Sequence, residues 1–267
     1  KGLDAQAIGM GANNLTINET GTAANTNAGN IAGVVSGSGT FTKTGAGELT
    51  LAGANTFTGD TTVSTGRLIV SGTLANVNVI VNSGTTYEVG ATDTIGSIAG
   101  AGDIEMASGV TLTVGANNST ADFSGVLSGA ANFAKLGTGT QTLSGANTYT
   151  GTTSIQAGTL IAKNATALGD RSALSLSNVS GAKLVVTNPV ASPSSDMVLT
   201  IGSLAGGGTT GGNIELGADT VLNIGDASSD TSFGGVISGD GALPQVNTSE
   251  LTLTASNTFT GGTTVDG

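Results

Sequence analysis

Apolar residues along this 267-residue chain recur two apart, in short runs. Leu49/Leu51, Leu68/Val70, Tyr87/Val89 and Ile104/Met106 form one series, spaced 19, 19 and 17 residues. Val63, Val79/Val81, Ile95 and Leu112/Val114 interleave as a second. Period-two alternation marks a strand with one face buried and one exposed. Gly, Asn, Ser and Asp fill the joints, as strand turns require. No stretch sustains a 3.6-residue period, so the pattern predicts an all-β protein. Antiparallel sandwiches also space short strands regularly. Here, though, equivalent apolar pairs return at a near-constant interval of roughly twice a strand plus turn. A chain coiling in one direction does this, each pair landing about 4.8 Å above its predecessor. The expected architecture is a parallel β-helix (β-solenoid) with about 19 residues per coil. At that spacing the chain would make roughly 14 coils and a rod of about 65 Å.

A longer period overlies the short one. Residues 33–70 return at 125–162 and begin again at 235. Phe41 to Phe133 and Phe57 to Tyr149 are both 92 residues; Phe133 to Leu243 and Tyr149 to Phe259 are both 110. The intervening sequence repeats too: Ile95 returns as Ile201 and Asp103 as Asn213, with a four-residue insertion around 206–212. Self-similarity at a fixed period signifies an array. The expected organisation is one continuous β-helix over 1–267. Its tandem units run approximately 33–124, 125–234 and 235–267, the last truncated, with 1–32 closing a preceding unit. The chain opens on Lys1 with no signal peptide in view, and both ends cut repeat sequence, which reads as a fragment of something longer.

Composition narrows the function classes. Glycine supplies 45 residues, Cys, His and Trp are absent, and charged residues make up 9% against about 25% in an average globular domain. The net charge of −11 argues against binding a nucleic acid backbone, which needs clustered cations, and against adsorption to anionic lipid. Absence of Cys excludes disulfides and thiolate metal sites. No apolar run approaches the roughly 20 residues of a membrane helix, so direct membrane insertion by such a helix is not expected.

The segment 45–63, GAGELTLAGANTFTGDTTV, with its copies at 137–155 and 247–265, closely resembles the autotransporter-associated β-strand repeat of type V secreted proteins. The third copy departs from the pattern, with Asn247-Thr248-Ser249 in place of Gly-x-Gly and Pro244 nearby. The resemblance implies a right-handed β-helical passenger, exported and displayed at or beyond the surface of a Gram-negative bacterium. It also implies an outer-membrane translocator barrel outside this stretch as partner, and roles in secretion and stem formation.

The residues that could carry chemistry are few. Asp60, Asp93, Asp103, Asp122, Asp170, Asp196 and Asp219 are dispersed, most in predicted turns where Asp is expected on turn chemistry alone. Glu105 and Glu215 are repeat equivalents at outward strand positions. Without His there is no Ser-His-Asp triad, and no G-x-S-x-G is present. Gly206 to Gly211 fits G-x-G-x-x-G literally, but no helix follows to hold a pyrophosphate, so it reads as a glycine-rich turn. Gly239-Asp240-Gly241 and the pair Asp226 and Asp230 resemble fragments of calcium loops, although no complete loop matches. Phe57, Tyr149 and Phe259 are expected to pack at corners, with Asn55, Asn147 and Asn257 hydrogen-bonding turn backbone. Lys43 and Lys135 are expected to be solvated. No catalytic, cofactor-binding or metal residue is assigned, and no cofactor is expected apart from the calcium option.

The expected function is that of a non-enzymatic stalk that adheres or self-associates, with like rods or a host or abiotic surface as partner. A subunit of an extracellular filament or surface layer is the alternative, and a polysaccharide lyase or hydrolase a more distant one.

Overall fold

The computed structural model describes residues 7–20, 29–169, 171–190, 196–225, 230–246 and 249–265. It is a parallel β-solenoid of about 11 turns, roughly 20 residues per turn. Its strands are short, mostly three or four residues, and pair in parallel with strands one coil away. Three faces wrap the rod. One coil runs from Ser97–Gly100 on the first, through Asp103–Met106 on the second and Thr111–Val114 on the third, and returns to the first at Ala121–Phe123.

The first face is an 11-stranded sheet from Leu15–Asn18 to Ile237–Gly239. The second holds a 6-stranded sheet from Gly29–Ile31 to Leu127–Ser128. Higher up, the same slot in the coil is taken by Met197–Ile201 and Thr220–Ile224, which pair with each other. The third is an 8-stranded sheet from Asp93–Ile95 to Leu251–Leu253.

The apolar series of the sequence becomes a column. Leu49 pairs with Leu68, Leu68 with Tyr87, Tyr87 with Ile104 and Ile104 with Leu127, each no more than 2% exposed. Fully burying one such side chain contributes about 1.5–3 kcal/mol, so these columns are the main favourable term. The coils are fewer than the spacing predicts. On the first face the register step is 20 residues from Phe41 to Thr61 and 18 from Thr61 to Val79. It widens to 24 from Leu160 to Leu184 and 30 from Leu184 to Ile214. The extra residues sit between strands, so eleven layers give a height of roughly 50 Å. The 206–212 insertion falls between the strands Ser203–Gly206 and Asn213–Leu216.

Candidate functional site

The repeated residues assemble inside the rod. Asn55 Oδ1 accepts from the Val35 amide at 3.0 Å, and its Nδ2 donates to the carbonyls of Gly53 at 2.9 Å and Thr73 at 3.0 Å. It therefore ties the coil below to the coil above. Asn147 does the same between the Leu127 amide at 2.8 Å and the Ala167 carbonyl at 2.6 Å. Asn257 accepts from the Ile237 amide at 2.8 Å and donates to Ala255. Two residues on, Phe57 stacks on Phe41 with ring centroids 5.7 Å apart, and Tyr149 lies 6.2 Å from Phe133. All four rings are fully buried, so none is a platform for a sugar. The third copy has Leu243 where the others have Phe, and Phe259 is half-buried.

Lys43 and Lys135 overturn the expectation of solvated side chains. Both are 0% exposed. Each follows an inward aromatic by two residues, so strand alternation turns it inward as well. The Lys43 ammonium donates to the carbonyls of Thr44, Gly45 and Thr65 at 2.9, 2.7 and 3.1 Å. The Lys135 ammonium donates to Leu136, Gly137 and Ala157 at 2.5, 3.0 and 3.4 Å. Three acceptors match the three N–H bonds of an ammonium. Burial still pushes the Lys135 pKa down to about 8 and lowers that of Lys43, which Glu19 partly offsets. In the third copy the position is Gln245, whose amide donates to the Ser249 carbonyl.

The acids fall into three settings. Asp93 is buried at the start of a strand rather than exposed in a turn, and its carboxylate accepts from the amides of Leu74 and Thr94, both at 2.8 Å. Burial raises its pKa against those two hydrogen bonds. On the second face Arg67 pairs with Glu88 at 2.5 Å and Glu105 at 2.6 Å, with Glu48 at 3.9 Å. On the first face Lys183 pairs with Glu215. Glu105 and Glu215 do lie outward, as expected, but their ion pairs required knowing which coils adjoin. Asp196, Asp219 and Asp240 line one groove of about 160 Å³ with Thr220 and no Lys or Arg. Asp240 accepts from the Thr260 hydroxyl at 3.2 Å, and Asp230 from the Glu250 amide at 2.9 Å. Asp170 and Asp226 lie outside the described residues, as do Asn247 and Thr248. Among the described residues no group of three or more acidic side chains is placed to hold a metal ion. The glycine-rich turn borders a shallow space of about 570 Å³, lined by Gly207, Gly208, Asn213 and Ser256 among others, with no titratable group.

Comparison with known proteins picks out the same repeated segments. The passenger-associated-transport-repeat family matches at residues 41–70, 133–162 and 246–267, on the three copies. Over these stretches the chain is similar to the repeats of autotransporter passengers. It is also similar to the adhesin BmaC autotransporter of Brucella suis biovar 1 (strain 1330), 37% identical over 150 residues. That alignment covers 56% of this chain and 4% of the much longer Brucella protein. No solved structure matches. The matches include Asn55, Asn147 and Asn257, Phe57, Tyr149 and Phe259, and both Lys43 and Lys135; of the second-face ion pairs, Arg67 and Glu48 lie inside the first match and Glu88 and Glu105 between the first two.

Proposed function

We propose that this chain is a length of passenger rod, displayed on or released from the surface of a Gram-negative bacterium, acting as a non-enzymatic adhesive stalk. The observation that carries the reading is the unbroken stack of parallel coils: it spends its repeated polar residues on tying coil to coil. A stiff rod built this way projects a contact surface away from the cell. Outward Thr, Asn and Ser on the coils between the repeated segments can meet a like rod or a host surface through many weak contacts, giving avidity without a pocket. The named adhesin among its relatives supports an adhesive role, and its autotransporter description supports a translocator barrel elsewhere in the full protein as partner. Coil-by-coil stacking also suits export, because each coil is a template for the next.

The test displays the full parent protein on non-aggregating cells beside a version lacking residues 33–162, at equal surface level. Faster settling that is lost in the deletion is the expected result. Equal settling by both, or by neither, would leave the repeats without an adhesive role. A deletion that never reached the surface would point to export as their main contribution.

A further inference from the structure

Equivalent residues of the three copies do not lie on the same side of the rod. Phe41 begins a strand of the first face. From there the chain makes four coils, through Thr61–Val63, Asn78–Val81 and Ser97–Gly100 to Ala121–Phe123, and two further faces before the equivalent Phe133. Phe133 is therefore on the third face. The next copy repeats the step: four coils to Thr231–Phe233, then two faces to residues 242–245. These bridge to Val221 and Ile224, on the second. The 92-residue and 110-residue spacings are thus the same structural interval, four and two-thirds coils, despite the insertions.

Each copy is consequently displaced by one face from the last. Asn55 sits in the third slot, Asn147 over Leu127 in the second, and Asn257 over Ile237 in the first. The exposed threonines beside them, Thr56/Thr58, Thr148/Thr150 and Thr258/Thr260, therefore point in three directions. A partner lying along one side of the rod can reach one such pair in three.

The hydrogen bonds to the coil below, by contrast, are the same every time. Besides the Asn-to-amide bonds, the amides of Thr56, Thr148 and Thr258 donate to the carbonyls of Val35, Leu127 and Ile237 at 2.9, 2.8 and 2.9 Å. Those of Thr58, Thr150 and Thr260 donate to Gly37, Gly129 and Gly239 at 2.9, 3.1 and 2.9 Å. These glycines all have φ between 103 and 130°. A Cβ on each would meet a carbonyl oxygen of the next coil down at 2.0–2.5 Å. What is repeated is a fit between coils.

We infer that the repeat is an internal clamp that braces the three faces of the rod in turn, and that recognition of a partner is left to the coils between clamps. Bracing each face in succession leaves no side of the rod without one, which suits a stalk loaded from any direction. The second half of the inference rests on the adhesive reading above; the first does not.

Two variant sets of the full parent protein test it. The inward set carries Asn55→Ala, Asn147→Ala and Asn257→Ala. The outward set replaces the six exposed threonines with Gln, which is bulkier but uncharged. Hydrogen exchange is followed in peptides containing the amides of Val35, Leu127 and Ile237, and settling of displaying cells is scored alongside. The inward set should speed exchange at least tenfold at all three amides; the outward set should leave exchange and settling at wild-type values. Loss of settling in the outward set with exchange unchanged would overturn the inference, as would unchanged exchange in the inward set. If wild-type cells do not settle, the adhesive reading fails and exchange alone decides the clamp. Should the triple variant not be displayed, single substitutions replace it, each speeding exchange at its own amide and no other; spread to all three would overturn independent clamps.

Discussion

The Lys135 ammonium lies 3.0 Å from the carbonyl oxygen of Gly137, inside the rod, and Lys43 repeats the contact with Gly45 at 2.7 Å. A lysine so placed has its charge fixed by backbone oxygens rather than by a carboxylate. Desolvation outweighs those bonds enough to bring the Lys135 pKa from 10.5 to about 8.

Stability should therefore depend on pH in a defined window. Below about pH 8 Lys135 is charged in both states, and the full cost of burying the charge is present. Between there and the ordinary value of 10.5 the unfolded chain holds a proton that the folded chain has lost, so this residue makes stability rise with pH. Lys135→Gln, which copies the residue of the third repeat, should fold, and its stability relative to wild type should fall as pH climbs from 8 to 10.5. Urea unfolding of both proteins at three pH values measures the difference; parallel curves would refute it.

The two roles of glycine in this rod can be separated by substitution. Gly84 has φ 77° but nothing within 4 Å of where a Cβ would stand. Gly84→Ala should cost about 1 kcal/mol, the backbone penalty alone. Gly129 has φ 114°, and its Cβ would lie 2.0 Å from the Met106 carbonyl oxygen. Gly129→Ala must force two coils apart and should cost about 3 kcal/mol or more. Denaturant midpoints of the two variants rank them directly.

Much of this was legible in the sequence, for a physical reason. A solenoid pairs each strand with its equivalent one coil away, so the period of the apolar pairs is the coil itself, and the column from Leu49 to Ile104 is visible in the spacing alone. The coil number was not legible, since residues 177–182 and 207–212 lengthen turns without adding a layer. The inward turn of Lys43 and Lys135 was available in the same alternation, two residues past Phe41 and Phe133. A charged residue simply outweighed its own spacing. The pairing of Arg67 with Glu105, 38 residues away, needed the register of two successive coils, and small changes in turn length move that register.

Two buried tyrosines should respond oppositely to losing their hydroxyl. Tyr149 Oη is 2.6 Å from Thr153 Oγ1, which continues to Ser172 Oγ at 2.9 Å and on to the Gly151 carbonyl. Tyr149→Phe breaks that chain and should destabilise by about 1–2 kcal/mol. Tyr87 is equally buried, and its hydroxyl has no partner among the described residues. Burial and the Asp93 carboxylate both hold it in the neutral form. Tyr87→Phe removes an unsatisfied buried group, so thermal unfolding should occur at a higher temperature, by the equivalent of about 1 kcal/mol.

Salt should reveal what Arg67 does on the second face. It sits one strand from Glu48 and Glu88 and reaches Glu105, so a single cation serves three carboxylates. The groups are partly exposed, with side-chain exposures of 28% for Arg67 and Glu88 and 48% for Glu105. Each pair then contributes only about 0.2–1 kcal/mol, and less at high ionic strength, where the Debye length shrinks to about 3 Å at 1 M. In Arg67→Gln the attraction is gone and three like charges remain along one column of coils. Salt screens attraction in the wild type but repulsion in the variant. The stability gap between them in urea should accordingly be about 1 kcal/mol at low salt and close most of the way in 1 M NaCl. A gap that salt left unchanged would mean that the Arg67 side chain acts through packing of its aliphatic stem rather than through its charge.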